Sequence, residues 1–447
     1  LGLCFGAFLA AVVLSGSLLV GDSVRGSLRK VAEARLGRVA AGVVGGDRWF
    51  TQGLAEAAGA APVILADGAV SAGAGGVRVN AVQVLGVNEA FWKLSPSAAM
   101  IEIAKNEVVI NDALARRLAA KEGDMIIVRL ERPSAISRDA PLSGSTNEEV
   151  SLRRTVARVI TADDFGAFQL AASQRVPESV FLNLQDLQGQ VEMEGKVNAL
   201  LTDTADTSAM QAVLEEKKGL ADFALKLQRV TGDAKEWQVA TDRVFLDEVL
   251  SADLQKRAGS YGVLTYLVNG ITSATGGTPY SMVAAVEASV LKERFGTAEG
   301  VVISQWLAED QKLKVGDELS LKYFVVGLGR ELKDESAGFR VAGILPMDRP
   351  VLNKTWTPEF PGVSDVDNCR DWDPGIPMDN KAIRDQDEKY WDDYGSTPKG
   401  FITLEAGQKL WGNRFGKLTS IRFPDTGEDE AKLTADLVSG LRLEHIG

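Results

Sequence analysis

Hydrophobic and polar positions repeat along this chain. Residues 108–124 (VVINDALARRLAAKEGD) and 301–317 (VVISQWLAEDQKLKVGD) both begin with Val-Val-Ile, carry Leu-Ala six residues later and end in Lys-x-Gly-Asp. Three β-branched residues, a short helix with Leu and Ala facing inward, and a Gly-Asp turn predict a compact β-α-β-like unit. Because the second copy begins 193 residues after the first, we predict an internal duplication.

A second pair of stretches supports the duplication and locates an insertion. Residues 181–188 (FLNLQDLQ) resemble 401–408 (FITLEAGQ), and Gly-Lys-Val at 195–197 resembles Gly-Lys-Leu at 416–418. At the Gly-Lys pair the offset has grown to 221 residues, which is 28 more than at the first pair. An insertion of about that size is therefore expected in the second copy. The segment 349–399, rich in Asp, Trp and Pro, is its predicted place.

The remaining sequence predicts a similar order of elements in both copies. In the first copy we expect a short helical or turn segment at 88–94, a helix at 209–218, a small-residue loop at 67–76, and strands at 62–66, 77–87, 151–160, 179–184 and 197–201. In the second copy we expect a Gly/Thr loop at 270–278, a final helix at 428–441, and strands at 262–268, 280–288, 339–345, 400–404 and 418–423. This pattern predicts an α+β fold with two modules, at 41–250 and 251–447.

Residues 1–20 (LGLCFGAFLAAVVLSGSLLV) carry no charge. At about 1.5 Å per residue, a helix of this length just spans a hydrocarbon core about 30 Å thick, so we predict a transmembrane helix. A signal peptide and a buried core helix are the alternatives; the absence of a basic n-region and of a clear cleavage site argues against the first. Since the chain also lacks an initiator Met, we expect a piece of a longer protein that starts inside a membrane helix.

Residues 21–40 predict a juxtamembrane amphipathic helix. Val24, Leu28 and Val31 recur at helical spacing among five basic residues, which is typical of a helix continuing out of the membrane. Taken alone, the basic residues would place this end in the cytoplasm, but long domains translocate largely regardless of charge. Charge alone therefore leaves the topology open.

Composition excludes several classes of function. A chain of 447 residues, 45% of them hydrophobic, is best divided into two or more domains, and its net charge of −12 argues against nucleic acid as a partner. Cys4 and Cys369 lie in different contexts, and His445 is the only histidine, which removes most nucleophilic and zinc mechanisms. There is no phosphate-binding G-x-x-x-x-G-K-[ST] motif. The Gly-rich stretches at 73–76 and 276–277 lack dinucleotide-site spacing, so no cofactor is predicted.

The predicted insertion contains candidate metal-binding residues. Clustered carboxylates bind hard cations, and four lie within nine residues: Asp365, Asp367, Asp371 and Asp373. An EF-hand register starting at Asp365 places Arg370 where Gly is required and Ile376 where Glu is required. A solvated or internally hydrogen-bonded acidic loop is therefore favoured over a Ca²⁺ site.

Tryptophans also crowd this region, at positions 356, 372, 391 and 411. They could form a platform for a glycan or a partner, but a small core for an otherwise polar insert is the favoured interpretation, because each buries a large apolar area. The neighbouring pairs Asp387-Glu388 and Asp392-Asp393 could suggest glycoside hydrolysis. Adjacent side chains usually diverge, however, so these pairs are weak candidates.

Several of these stretches together resemble a known family. The apolar helix, the Arg-rich stretch GDSVRGSLRKVAEARLG, the repeat VVINDALARRLAAKEGD, the strand FRVAGILPM and the insert WTPEFPGVSDVDNCRDWDPGIP through KYWDDYGSTPKGF resemble the MacB/FtsX-type permeases of ABC transporters. The resemblance covers nearly the whole chain and is closest to a large bacterial subgroup. It implies an α+β extracytoplasmic domain with porter-like α/β lobes and small β-rich lobes, after the first transmembrane helix. The chain differs from the simplest members in having two core-like units.

The resemblance also implies a function. The chain would be a non-enzymatic subunit that couples ATP hydrolysis by a separate cytoplasmic ATPase to movement outside the membrane, with a second permease copy, membrane lipids and a lipid, peptide or envelope protein as partners. It would lie in the bacterial inner membrane with residues after about 21 extracytoplasmic, and further membrane helices would follow Gly447, near the first. The alternative is a membrane-anchored envelope enzyme or scaffold that uses the acidic insert to bind carbohydrate or protein.

Overall fold

The computed structural model describes residues 2–445 except 74–75, 98–99, 134–148, 172, 231–234, 298, 327–331, 361 and 365. Within the first helix, the side chains at 2–4, 6–11, 14, 18 and 21 also lie outside the described part. The chain divides into two compact units. The first comprises residues 1–133 and 147–217, and the second comprises residues 218–446.

A single long helix begins the first unit. Helix α1 (Gly2–Leu36) runs through both the segment expected to cross the membrane and the segment expected to follow it. No helix in the described part of the chain is both long and apolar enough to span a bilayer, so the transmembrane helix expected at 1–20 is not confirmed. Val24, Leu28 and Val31 are 49%, 39% and 42% exposed, so the apolar stripe expected at 21–40 faces outward.

The first unit is a mixed α/β structure. Its elements are β1 (Ala41–Val44), β2 (Phe50–Thr51), α2 (Gln52–Ala57), β3 (Ala61–Ala72), β4 (Arg78–Val87), α3 (Glu89–Trp92), β5 (Glu107–Asn111), α4 (Asp112–Leu118), β6 (Met125–Glu131), β7 (Glu149–Ile160), β8 (Ser179–Asn183), α5 (Leu184–Gln190), β9 (Lys196–Val197), β10 (Ala199–Thr202) and α6 (Ser208–Lys217). The main sheet has the order β1-β10-β3-β4-β8-β5-β7-β6, and β3 also pairs with β6. This extra pairing closes six strands into a barrel-like sheet.

The second unit repeats this plan. Its elements are β11 (Leu225–Arg229), β12 (Glu236–Thr241), α7 (Glu248–Leu254), β13 (Tyr261–Ser273), β14 (Gly277–Val286), α8 (Ala288–Phe295), β15 (Val301–Ser304), α9 (Gln305–Gln311), β16 (Glu318–Val326), β17 (Leu332–Leu345), α10 (Asp385–Tyr394), β18 (Gly400–Thr403), α11 (Leu404–Trp411), β19 (Ser420–Pro424) and α12 (Glu430–Ser439). The sheet has the order β11-β12-β19-β13-β14-β18-β15-β17-β16, and β13 also pairs with β16.

The two barrel-like sheets match strand by strand, β3 to β8 corresponding to β13 to β18. Corresponding pairings also agree in direction: β4–β8 and β14–β18 are parallel, as are β5–β7 and β15–β17. An irregularity in register falls between Val108 and Val109 in one copy and between Val301 and Val302 in the other. This mixed α/β architecture is compatible with an internal duplication.

The repeated stretch folds alike in both units because each residue type has the same role. Residues 108–110 and 301–303 are buried in β5 and β15, at most 1% exposed. Asn111 and Ser304 then begin the helices α4 and α9. Their side-chain oxygens accept hydrogen bonds from the backbone amide three residues later, at 3.0 and 3.3 Å, which satisfies a donor that the first helical turn leaves unpaired.

A glycine turn ends the repeated stretch. Gly123 and Gly316 have φ of 88° and 102°, a region that favours glycine. Their amides donate to the carbonyls of Val156 and Val341, both at 2.8 Å. The turn is thereby fixed to β7 or β17, which lies between the two strands of the expected β-α-β-like unit.

Two segments expected to be loops are largely strand. β3 continues through the segment expected as a loop at 67–76 as far as Ala72, and β13 continues through that expected at 270–278 as far as Ser273. These extensions pair with β6 and β16, and a pairing between distant segments leaves no local signal in the sequence. Gly68 suits this arrangement, because a Cβ there would lie 2.5 Å from the Arg129 carbonyl oxygen.

Each unit has its own hydrophobic core. In the first, Phe91, Phe165, Phe168 and Phe181 cluster with ring centroids 4.9 to 6.1 Å from Phe91. In the second, the largest cluster contains buried side chains of the barrel-like sheet and of the segment between β17 and β18. That segment therefore packs as part of the second unit.

Candidate functional site

Three of the four acidic residues considered as metal ligands lie in the described part of the chain. Asp367, Asp371 and Asp373 are exposed, and Asp365 lies outside the described residues. Within the described part of the chain, no group of three or more His, Cys, Asp or Glu side chains could hold a metal ion. The candidate site of this region is therefore formed by other side chains.

The segment between β17 and β18, residues 346–399, is called the insert below. The corresponding connection between β7 and β8 covers only residues 161–178. Trp356 and Trp372 of the insert are 1% and 7% exposed, and Trp411 of α11 is 3% exposed. The half-buried Trp391 contacts Trp372 edge to face, with ring centroids 4.8 Å apart. These side chains form core, as the favoured interpretation expects.

A buried lysine is the most unusual group in the insert. Lys399, its last residue, is 4% exposed. The Nζ atom donates to Thr278 Oγ1 at 3.2 Å and lies 3.6 Å from Asp387 Oδ1. It also lies 4.2 and 4.7 Å from the ring centroids of Trp306 and Tyr390, where an ammonium is attracted to the negative faces of the rings.

The carboxylate beside this lysine is held by further donors. Asp387 is 7% exposed and accepts hydrogen bonds from the Thr278 hydroxyl at 2.8 Å and from Nε and Nη2 of Arg384, both at 2.7 Å. The same guanidinium donates to both oxygens of Asp310 in α9, at 3.1 and 3.0 Å. These charge-assisted bonds tie α10 of the insert to α9 and β14. We call Lys399, Asp387, Arg384, Asp310 and Thr278 the latch.

Burial and ion pairing have opposing effects on the pKa values of Lys399 and Asp387 in the latch. Burial lowers the pKa of Lys399 to about 8, against the opposing attraction of Asp387. Burial acts to raise the pKa of Asp387, but hydrogen bonds from Arg384, the charge of Lys399 and the Thr278 hydroxyl together lower it. Burial also raises the pKa of the Tyr390 hydroxyl. At neutral pH the latch is therefore an ammonium–carboxylate pair beside a neutral tyrosine.

A small cavity adjoins the latch. It measures about 20 Å³, room for about one water molecule, and Lys399, Asp387, Trp372 and Cys369 are among its lining residues. Burial raises the pKa of the Cys369 thiol to about 11, and the charges of Glu388 and Asp387 add to this effect. The thiol is protonated, the amine is enclosed by its partners, and the cavity has little free space. The latch is therefore suited to holding the insert in place.

The neighbouring carboxylates considered for hydrolysis have separate partners. Glu388 pairs with Arg370 at 2.9 Å, whereas Asp387 faces the latch. Asp393 pairs with Lys389 at 3.1 Å, and Asp392 is exposed. Adjacent carboxylates in α10 thus point to different surroundings.

Of the latch residues only Asp387 was among the candidates from the sequence, although the sequence contains a signal for Lys399. In the aligned pair of stretches, Lys399 takes the position of Ser179, two residues before Phe401 and Phe181 respectively. Those phenylalanines lie opposite Val302 and Val109 in the sheets. A lysine that replaces a serine beside a buried strand indicates a buried charge that needs a partner.

The end of helix α1 forms a second candidate feature. Arg35 is 8% exposed, and its Nη1 atom donates to the Ser173 carbonyl at 2.6 Å and to Gln169 Oε1 at 3.3 Å. The Arg38 amide donates to the Leu94 carbonyl at 2.9 Å. The last turn of α1 and the residues directly after it are therefore hydrogen-bonded to two loops of the first unit.

Comparisons with known proteins give limited information. The sequence matches no family model, and no curated protein sequence matches it. Among solved structures, the periplasmic region of MacB from Actinobacillus actinomycetemcomitans is similar to part of the chain, with 8% identity and a TM-score of 0.24. The alignment covers 39% of this chain and 83% of that one. This is a weak structural similarity.

Proposed function

We propose that this chain is the extracytoplasmic part of a MacB/FtsX-type permease subunit and acts as a mechanical transducer. Support comes from the resemblance of its motifs to that family and from the duplicated barrel-like sheets. The observation that carries the proposal is the fastening of α1. Because Arg35 is buried and holds two groups of the first unit, a displacement of the helix must either move that unit or break those bonds.

In this proposal the motor is a separate cytoplasmic ATPase, and a second permease copy completes the assembly. The protein lies in the bacterial inner membrane, residues after about 21 are outside the cytoplasm, and the external units bind or regulate a lipid, peptide or envelope protein. The caged amine and protonated thiol of the insert support a role in which no bond of a substrate is broken.

The test uses the full-length parent protein purified from native membranes. We expect a stoichiometric ATPase to co-purify. Spin labels placed on α1 and on β4 of the first unit should report a fixed distance through the ATP cycle in the wild type. Arg35→Ala should allow that distance to vary with nucleotide while ATP hydrolysis continues, because the helix is then no longer fastened to the loop that contains Ser173.

Arg29→Ala is the matched control, since Arg29 lies on the same helix and its ion pair with Glu33 is exposed. This variant should leave the distance fixed. Absence of any ATPase would overturn the transducer proposal and favour an envelope scaffold. An ATPase with a distance that is insensitive to Arg35→Ala would overturn only the role of the fastening.

A further inference from the structure

Strands β1 and β12 occupy the same place in the two repeats. β1 pairs antiparallel with β10, which pairs with β3; β12 pairs antiparallel with β19, which pairs with β13. Each strand is followed by the pattern Asp-Arg-x-Phe, at 47–50 and 242–245. The two phenylalanines, Phe50 and Phe245, are 0% and 2% exposed. The shared neighbours and the shared pattern make the two strands equivalent.

The outer edges of these strands differ. β12 is covered by β11, which runs antiparallel to it from Leu225 opposite Thr241 to Arg229 opposite Trp237. Among the strands that the structure describes, none pairs with the outer edge of β1. One repeat therefore carries a covering strand that the other lacks.

The uncovered edge also lacks most of the usual protection against pairing. Edge strands are normally protected by a short length, charged residues, proline or a bulge; β1 is short, with four residues, but has none of the other three. β1 has the sequence Ala-Gly-Val-Val, with Gly42 exposed and Val44 46% exposed. By contrast β11, the edge of the other sheet, carries Lys226 and Arg229. An unprotected edge in one repeat, at the place where the other repeat is paired, indicates a binding edge.

We propose that the outer edge of β1 binds an extended segment of a partner protein, which adds antiparallel to the sheet as β11 adds to β12. Main-chain hydrogen bonds supply affinity in this mode, and alternate side chains supply specificity. β11 shows the chemistry that fits such a place, with Leu225 and Leu227 on alternate positions and Lys226 between them. The inference concerns binding alone and does not depend on the proposed transducer function.

Charge defines the partner further. In the covered repeat, Lys226 Nζ lies 2.6 Å from Asp242 Oδ1. Asp47 is the first residue of the same Asp-Arg-x-Phe pattern beside β1, and it is exposed. The partner segment therefore carries a Lys or Arg between alternating apolar residues, placed to reach Asp47 as Lys226 reaches Asp242.

A second copy of the chain is a poorer occupant. β1 has only four residues, and two such strands paired about a twofold axis bury far less than the ~1,200 Å² typical of a stable dimer. The partner must therefore bring its own extended segment.

The test uses the whole chain and a fluorescein-labelled peptide with the sequence of residues 223–230, FALKLQRV, as the probe. Fluorescence anisotropy should show saturable binding. Two further peptides carry N-methyl groups on alternate residues, in the odd or the even positions. Strand addition uses the amides of one face only, so one methylated peptide should bind at least about tenfold more weakly and the other nearly as well as the parent.

Two readouts locate the site. Amide hydrogen exchange should slow at residues 41–44 on peptide addition and stay unchanged in β11 and β12. Asp47→Asn should weaken binding about threefold to tenfold, whereas Glu102→Gln, which alters another exposed carboxylate of the first unit, should not change it.

Three results would overturn the proposal. The first is equal binding, or no binding, of the two methylated peptides. The second is protection in β12, which would mean that the probe displaces β11. The third is a concentration-dependent dimer that already protects residues 41–44 without peptide, which would assign the edge to a second copy of the chain.

Discussion

The two units hold corresponding connections in place by different interactions. In the first, the buried Asn111 holds the short connection before β8: its amide donates to the carbonyls of Gly166 and Pro177 at 2.9 and 2.6 Å, and its oxygen accepts from the Ser179 amide at 3.1 Å. In the second, Ser304 replaces Asn111 and Lys399 replaces Ser179. A short loop is thus held by neutral hydrogen bonds, and a long insert by a buried ion pair.

The difference has an energetic consequence. A neutral hydrogen bond contributes about 0.5–1.5 kcal/mol, and loss of one partner costs more when the other stays buried. Removing one member of a buried ion pair costs about 3–5 kcal/mol, because an uncompensated charge remains. The second unit should therefore be the more sensitive to single substitutions at this place.

The largest expected effect is at the latch. Asp387→Ala leaves Lys399 buried without a carboxylate and removes a partner of Arg384, so the free energy of unfolding of the second unit should fall by about 3–5 kcal/mol. Urea unfolding followed by tryptophan fluorescence measures it. Asp393→Ala, which removes an exposed pair with Lys389, should change it by less than about 0.5 kcal/mol. A loss below about 1 kcal/mol for Asp387→Ala would break the comparison.

A smaller loss of stability is expected at Asn111, the neutral counterpart of the latch in the first unit. Asn111→Ala removes four hydrogen bonds, one of them the helix cap, at a fully buried position, so the first unit should lose about 2–3 kcal/mol. Asn111→Ser introduces the residue found in the second unit and retains the cap, so it should cost about 1 kcal/mol less. Amide exchange of Leu114 and Ser179 measures both variants. Equal losses for Ala and Ser would show that the loop bonds alone matter.

The pH dependence should also distinguish the units. The pKa of Lys399 falls from its ordinary 10.5 to about 8 in the folded chain, so between these values the unfolded state binds more protons and stability rises with pH. The gain should be on the order of 1–2 kcal/mol and absent in Lys399→Met. The measurement is the difference in unfolding free energy between wild type and variant from pH 7 to 10. A difference that stays constant or changes with the opposite sign would contradict this assignment.

The smallest effect on stability is expected at the glycine turn that both units share. Gly123→Ala and Gly316→Ala introduce a side chain at positive φ, where steric clash costs about 1 kcal/mol. At Gly123 a Cβ meets nothing within 4 Å, and at Gly316 it meets Arg340 Nη2 at 3.6 Å, so only backbone strain should matter. Thermal unfolding should give nearly equal losses. A difference above about 1 kcal/mol would show that the turns are not equivalent.

The features that the sequence predicted are local or repeated. The Val-Val-Ile strand, the short helix and the Gly-Asp turn depend on neighbouring residues, and they recur in both copies. The second aligned pair also corresponds to a shared contact: Gln188 donates to the Lys196 carbonyl at 2.9 Å, and Gln408 donates to the Lys417 carbonyl at 3.3 Å. Repetition made these features visible without knowledge of the contacts.

The features that were missed depend on distant segments. Closure of each barrel-like sheet pairs β3 with β6 or β13 with β16 across intervening strands, and no local pattern marks it. The latch joins Thr278, Asp310 and Arg384 to Lys399, groups that meet only in the folded unit. The clustered Asp367, Asp371 and Asp373 are exposed instead, because carboxylate density in a sequence indicates charge but not burial.

Alkylation of Cys369 can report how often the latch opens. The thiol is 2% exposed, lies on the insert and is almost fully protonated at neutral pH, so iodoacetamide can reach a reactive thiolate only when the insert lifts from the sheet. In a Cys4→Ser background, the alkylation rate therefore reports how often that happens. The buried sulfur of Cys369 thus makes the opening of the second unit countable, as one carbamidomethyl group per molecule.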